Sequence, residues 1–348
     1  MKSTIMRIEG FRSENLNNER DLFIYLPPGY TESEDRRYPV LYVHDGQNLF
    51  HPAMNGQSWN LHRTADRLIA NGSIEEIIIV GIANMGAERA NEFMHPLDGV
   101  LYQNDKENIT PRGILYERFL IGEIKPYIDG MLRTKPGAAD TALMGSSRGG
   151  KVTYHIGIRR PDVFGKLGIL SPYFYYVNPL SLEEHRMYAS FPSKSPLSKI
   201  WIDLGGREGV LIMEKHVRQV VSEMLTAGYE ANRQLAFYFD PAAEHTERDW
   251  EGRADYPLLH LFGKPGSLCG LSLKQTSATA LDRGSIRFVP TAEFDNGLKI
   301  TPLGGQYRVD DPGVASVEET GVVVPIQSGA ASGAYSFNGM EAPFQIDL

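Results

Sequence analysis

The sequence predicts an α/β domain, with a mostly parallel sheet flanked by helices, followed by a small all-β sandwich. Three observations carry this. Up to about residue 264, short runs of β-branched and aliphatic residues alternate with segments of helical periodicity. Several of those runs are apolar almost without interruption, the pattern of strands covered on both faces. Beyond residue 265 the helical signal stops, and Gly, Ser, Thr and Pro interrupt short strand-like stretches.

Asp21-Leu22-Phe23-Ile24-Tyr25-Leu26 alternates and ends at Pro27-Pro28-Gly29, a strand closed by a turn. Tyr38 to Val43 and Ile77 to Ile82 read as buried strands, as do Thr141 to Met144 and Lys166 to Leu170. Ile200 to Leu204 and Gln234 to Phe239 complete the set. Helical spacing of apolar residues marks Trp59 to Ile69, Leu115 to Met131, Lys151 to Arg159 and Ile212 to Ala227. No helix separates the first strands, so the leading edge is expected to be antiparallel. Past the joint at Lys264-Pro265-Gly266, Ser285 to Val289 and Gly321 to Val324 read as strands. The expected division is an α/β domain over 1–265 and an appended β-sandwich over 266–348.

The bulk composition fits an ordinary globular chain. There are 348 residues, 42% hydrophobic and 22% charged, with a formal charge of -8. That balance, with no Lys/Arg-rich run, argues against nucleic acid as a partner. No apolar stretch reaches the roughly 18 residues of a membrane helix, and the N-terminal residues lack the apolar run of a secretory signal. A cytoplasmic location and no membrane partner are expected. The single cysteine, Cys269, excludes an intrachain disulfide. Its apolar neighbours, Leu268 and Leu271, suggest a buried thiol.

Gly145-Ser146-Ser147-Arg148-Gly149 matches G-x-S-x-G, with an apolar strand before it and a helix after it. A chain reversing sharply from strand to helix leaves the central serine strained and exposed, and side chains two positions either side would collide. Ser147 is therefore the expected nucleophile, with Ser146 a spacer. The N–H of Arg148, at the helix start, is placed to hold a developing oxyanion.

The base must follow the serine in chain order, with the acid between them. Of nine histidines, His155, His185, His216, His245 and His260 follow Ser147. His155 and His216 fall within helices, His185 in a charged stretch and His260 in an apolar helical one. His245 lies in a loop directly after the last strand, where the carboxyl edge of a parallel sheet presents its ligands. It is the expected base. The preceding strand ends in Asp203-Leu204-Gly205-Gly206-Arg207-Glu208 and offers two acids. Glu208, beyond the glycine turn, is favoured to reach His245 Nδ1; Asp203, inside the strand, is the alternative. The second oxyanion donor is expected after the strand ending at Val43, in His44-Asp45-Gly46-Gln47. There Gly46 would let the backbone approach substrate, Gln47 would present its N–H, Asp45 would bind loop amides and His44 would pack.

His44 to Phe50, Gly145 to Gly150 and Glu244-His245 together resemble the putative-esterase family, which includes enterochelin, feruloyl and acetyl-xylan esterases, S-formylglutathione hydrolases and mycolyltransferases. Leu26 to Tyr30, Phe164-Gly165 and Leu170 to Pro172 resemble its secondary landmarks. The similarity covers roughly residues 15–264. It implies an α/β-hydrolase fold, a Ser147–His245–Glu208 triad, an ester as the small-molecule partner, and neither metal nor organic cofactor. Arg148 departs from the apolar residue many relatives carry; it would pair with a carboxylate or attract an acidic substrate group.

The expected activity is serine-dependent hydrolysis of small acyl, sugar or phenolic esters. The alternatives are acyl transfer to an acceptor other than water, and a catalytically silent binding protein working through its β-domain. Tyr173 and Phe174 are candidate walls of a substrate cleft. The stretch from Asn84 to Pro111, with Arg89, Asn91, Glu92 and Phe93, is long enough for a lid or specificity loop. Val309 to Val317 and Gly321 to Val324 resemble bacterial immunoglobulin-like repeats, modules that bind surfaces, space domains or mediate self-association, which allows a homo-oligomer through the C-terminal region.

Overall fold

The computed structural model describes residues 2–52, 56–97, 109–178, 180–191, 193–209, 214–277 and 285–348. Two antiparallel strands open the chain, β1 (Thr4–Ser13) and β2 (Asn18–Leu26). The first escapes a periodicity reading because its alternation slips at a bulge between Ile8 and Phe11, where Gly10 takes φ 62°. There follow β3 (Val40–His44), β4 (Ile78–Ile82), β5 (Thr141–Ser146) and β6 (Lys166–Leu170). A hairpin of β7 (Tyr175–Val177) and β8 (Glu184–Arg186) stands apart from the main sheet. The sheet resumes with β9 (Lys199–Gly205) and β10 (Leu235–Asp240).

These strands form one eight-stranded sheet in the order β1-β2-β4-β3-β5-β6-β9-β10. Pairing is antiparallel at β1/β2 and β2/β4 and parallel from β4 onward. This is the α/β-hydrolase arrangement, with its leading edge antiparallel as the missing early helices predict.

The side-chain alternation of the strands sorts the core into two layers. Val40, Tyr42, Ile78, Val80, Ile200 and Ile202 face one layer. There they meet three helical segments: α3 (Gly113–Phe119) with α4 (Lys125–Met131), α5 (Arg148–Arg159) and α6 (Glu214–Thr226). The one helix expected over 115–131 is α3 and α4 joined by a π-turn at Leu120–Ile124. Leu41, Val43, Ile79, Met144 and Trp201 face the other layer. It holds α1 (Leu61–Ala70) and α8 (Asp255–Phe262). Two short helices, α2 (Arg89–Glu92) and α7 (Glu247–Arg253), lie above the carboxyl ends of the strands.

The C-terminal residues form small antiparallel sheets. One contains β11 (Leu268–Ser277), β12 (Ile286–Phe294) and β13 (Lys299–Ile300). Beyond it come β14 (Gln306–Val309) and the pair β15 (Ala315–Val317) and β16 (Val323–Pro325). The last strands, β17 (Ala330–Phe337) and β18 (Met340–Asp347), complete a sheet with β14. Phe288, Val314, Val323, Phe344 and Ile346 make a core of their own here. Ala292, Leu298, Ile300, Tyr335 and Phe337 instead join the layer containing Trp201 and α8.

Cys269 is exposed, contrary to the buried thiol expected from its neighbours. A register shift between Leu268 and Gly270 breaks the alternation, so Leu268 and Leu271 both pack inward while the thiol is left outside.

Candidate active site

Ser147 sits between β5 and α5 at φ 58° and ψ -124°, a conformation that a non-glycine residue adopts only at a cost of roughly 1–3 kcal/mol. Close packing enforces the turn. A Cβ on Gly145 would lie 2.8 Å from the Gly149 backbone, and one on Gly150 would lie 2.8 Å from the Leu170 carbonyl. The turn is held by the Ser147 N–H on the Leu170 carbonyl at 3.0 Å. It opens into a cleft of about 400 Å³ lined by Ser146, Ser147, Gln47, Asn48, Asn84 and His245, with Asp45, Arg89, Trp59, Glu247 and Trp250 around them.

His245 lies after β10, and its Nδ1 is 2.9 Å from Glu208 Oε2. The Glu208 side chain is fully buried while the imidazole is 21% exposed, so the pair reaches the cleft only through His245. The other carboxylate oxygen, Oε1, accepts the Gly205 N–H and the Ser171 hydroxyl, both at 2.6 Å. Ser171, strained at φ 41°, in turn accepts from Trp250 Nε1 at 2.9 Å and Arg253 at 2.7 Å. Trp250 also meets the His245 ring edge to face, with centroids 5.0 Å apart. Glycine is needed where the two loops meet: a Cβ on Gly205 would lie 2.3 Å from the Ala243 carbonyl.

Asp203, the alternative acid, is buried within β9. It accepts from Trp201 Nε1 at 2.7 Å and from Arg253 Nε at 3.0 Å, and its bonds to ring and guanidinium leave it away from His245. Burial pushes its carboxyl up despite Arg253. Burial alone would lower the Arg253 guanidinium, but Asp203 and Glu208 outweigh it and the net direction is upward.

The loop after β3 departs from expectation in two details. Asp45, at φ 58°, binds side chains and not loop amides: Asn84 Nδ2 at 2.6 Å, and Arg89 in a bidentate pair at 2.7 and 2.8 Å. Burial would raise this carboxyl, yet Arg89 and Asn84 hold it below its usual range. Gly46 is required by its packing, since a Cβ there would sit 2.3 Å from the Gly81 backbone carbon. The Gln47 side chain accepts the Asn84 N–H at 3.2 Å. His44 is buried with Nδ1 2.8 Å from the Tyr116 hydroxyl, and burial pushes its pKa down to about 3.

Tyr173 and Phe174 are both buried in place of walling the cleft. Phe174 packs edge to face on Tyr154, and the Arg148 guanidinium lies over the Tyr173 ring at 4.9 Å. Backbone bonds explain the inward turn: Tyr173 N–H is tied to the Ser147 carbonyl at 3.1 Å. In the expected lid, Glu92 and Phe93 are core residues. Glu92 pairs with buried Arg20 at 2.8 Å. Residues 98–108 of that stretch lie outside the described residues. His155, His216 and His260 are buried in helices, and His185 lies on β8.

Asn48, Trp59, Glu247 and Trp250 in the cleft, and Ser171 and Arg253 behind Glu208, are not among the site residues expected from the sequence. One signal was available. Thr246-x-x-Asp249 is a helix start, and the Thr246 side chain does accept the Asp249 N–H to cap α7. Among the described residues no group of three or more His, Cys, Asp or Glu side chains is placed to hold a metal ion, and no helix is long and apolar enough to cross a membrane.

A family model described as "Putative esterase" matches residues 13–253. An endo-1,4-beta-xylanase/feruloyl esterase of Xylanibacter ruminicola is 33% identical over 168 residues, which is 46% of this chain and 20% of the relative. The chain thus spans about a fifth of that protein's length. Among solved structures, the ferulic acid esterase of Anaeromyces mucronatus in complex with ferulic acid superposes with a TM-score of 0.56. Identity is 20%, over 74% of this chain and 90% of that one. The enterobactin esterase of Shigella flexneri gives 0.54 at 16% identity, over 74% and 59%.

Proposed function

This chain belongs to the putative-esterase family, and on that premise we propose that it is a serine esterase hydrolysing small acyl, sugar or phenolic carboxylic esters through an acyl-enzyme on Ser147. The observation that carries the reading is the strained Ser147 opening into the cleft that also receives His245, whose Nδ1 is bonded to buried Glu208. Glu208 as acceptor fixes the tautomer with the proton on Nδ1, leaving Nε2 as the basic nitrogen.

In the reaction, Ser147 Oγ attacks the ester carbonyl carbon and its proton passes to His245 Nε2. Glu208 stabilises the imidazolium that forms. The negative charge on the carbonyl oxygen is held by the Gln47 and Arg148 N–H groups; each such donor is worth roughly 10²–10³ in turnover. The tetrahedral intermediate collapses, the C–O bond to the alcohol breaks, and the alcohol leaves with the proton from His245. Water then attacks the acyl-enzyme, gives its proton to His245, and the acid departs as Ser147 regains its hydrogen.

The phenolic option draws on the feruloyl and ferulic acid esterases among the similar proteins and on the two indoles, Trp59 and Trp250, whose rings lie 5.6 Å apart at the cleft. The reading includes the 1–265 segment as the catalytic unit and a cytoplasmic location. Hydrolysis of p-nitrophenyl acetate and butyrate, and of methyl ferulate, by wild type and Ser147→Ala tests it. Turnover lost in the variant supports it; equal rates would remove Ser147 from the chemistry.

A further inference from the structure

The family match ends at residue 253, and the C-terminal strands lie beyond it. Within the main sheet β10 is an edge strand, with one side of its peptide groups unpaired by any other strand of that sheet. The C-terminal region meets that side. Thr301, directly after β13, donates its N–H to the Phe237 carbonyl at 2.7 Å, and its hydroxyl accepts the Phe239 N–H at 2.9 Å. Asn232 and Leu303 exchange two more bonds, at 2.7 and 2.8 Å. Beside this seam, Arg287 on β12 is buried and lies over the Phe239 ring at 4.5 Å. It forms a bidentate pair with Glu214, the first residue of α6, both bonds being 2.6 Å. Burial would raise the Glu214 carboxyl, but Arg287 and Arg218 bring it below its usual range.

Both attachments fall on the supports of the same two side chains. Phe239 and Asp240 end the strand whose loop delivers His245. The Asp240 carbonyl accepts the Gly206 N–H at 2.7 Å and the Ala243 N–H at 3.2 Å, and the Ala243 carbonyl accepts the Arg207 N–H at 2.9 Å. The end of β10 therefore stitches the Glu208 loop to the His245 loop. On the other side, α6 is the next helix after the Glu208 loop, and Arg287 grips its first residue. An accessory module would touch the catalytic unit anywhere on its surface; this one touches the strand and the helix that flank the acid and the base.

We propose that the C-terminal strands are a built-in brace for the acid–base half of the site, with Arg287 and Thr301 as positioning residues. The proposal rests on the reading of His245 and Glu208 as base and acid. A brace of this kind acts through geometry, because a general base must be held within about 0.5 Å of its productive position.

The test uses the full chain, wild type, Arg287→Met, Arg287→Lys and Thr301→Val. The readouts are kcat and KM on p-nitrophenyl butyrate, Tm, and the low-field proton resonance of the His245 Nδ1–H. Arg287→Met is expected to lose on the order of ten- to a hundredfold in kcat with KM held within about twofold, and the resonance to shift or broaden. Arg287→Lys should recover only part of kcat, since an ammonium cannot replace the planar fork. Variants that lose Tm but keep wild-type kcat and an unchanged resonance, measured well below Tm, would overturn the brace. If Arg287→Met fails to fold, Thr301→Val decides, because it removes one bond to β10 and leaves the Thr301 N–H in place. A wild type that turns over no ester would sink the esterase reading, while the resonance comparison would still decide the brace.

Discussion

Glu208→Gln exchanges one oxygen for an NH₂ group and preserves the shape of the side chain, so its effect isolates charge and tautomer. Glu208 Oε1 faces three donors, the Gly205 N–H and Ser171 hydroxyl at 2.6 Å and Arg253 at 3.5 Å. An NH₂ in that position would confront all of them. The glutamine must therefore keep its carbonyl there and point NH₂ at His245 Nδ1, 2.9 Å from the present Oε2. That amide donates where the carboxylate accepted. Nδ1 becomes the acceptor, the proton moves to Nε2, and the proposed base can no longer take the proton of Ser147. The comparable change in a Ser-His-Asp protease costs about 10⁴ in kcat, so a loss of 10³–10⁴, or about 4–5 kcal/mol of transition-state stabilisation, is expected with little change in KM. Asp203→Asn provides the contrast. It weakens the partner of a fully buried Arg253 and is expected to destabilise the fold by about 3–5 kcal/mol, with kcat in the folded protein changed less than tenfold. Steady-state kinetics with p-nitrophenyl butyrate and urea denaturation on both variants make the comparison. A larger kcat loss from Asp203→Asn than from Glu208→Gln would refute the tautomer argument and the choice of acid.

Three other expectations follow from the packing. Gly46→Ala places a Cβ 2.3 Å from the Gly81 backbone, so the loop carrying Gln47 must lift; kcat should fall by about 10² as one oxyanion donor is lost, and wild-type kinetics would show that the Gln47 N–H is not used. Arg89→Lys breaks the bidentate clamp on Asp45 and should lower kcat on the order of tenfold without loss of fold; an unchanged kcat would remove the clamp from the account. The buried imidazoles of His44 and His260 are each pushed down to about 3 by burial, against about 6.5 in the unfolded chain. Between those values the unfolded chain binds protons that the folded one refuses. Stability is thus fully present above pH 6.5 and falls with acidification by about 1.4 kcal/mol per pH unit for each histidine. Urea denaturation at pH 6.5 and 5 should show a drop of about 3 kcal/mol from the two, and His260→Gln should recover about half of it; identical slopes in wild type and variant would contradict the assignment.

Much of the fold was legible because it depends on local pattern. The buried strands β3, β4 and β5 announce themselves as unbroken apolar runs, and the strand–serine–helix turn is specified by glycines whose missing Cβ atoms the packing requires. That Ser147, Glu208 and His245 would meet at one edge of the sheet could be read because a parallel sheet brings the ends of successive strands together there. What could not be read depends on contacts between distant segments. Arg253 and Ser171 lie 82 positions apart and meet only behind Glu208. Tyr173 and Phe174 follow a strand on the ligand side, yet the bond from Tyr173 to the Ser147 backbone turns them inward. The thiol of Cys269 is turned outward by a single bulge that composition does not reveal. Thr301 and Arg287 carry no motif, and their place on β10 and α6 emerges only in three dimensions.

The central claim is that Ser147 carries the acyl group. Rapid mixing with p-nitrophenyl butyrate, acid quench and peptide mass spectrometry tests it most directly. A butyryl adduct is expected on the peptide containing Ser147, mapped to Ser147 itself and absent from Ser147→Ala. Continued turnover with no adduct there, or with the acyl group on Ser146, would contradict it.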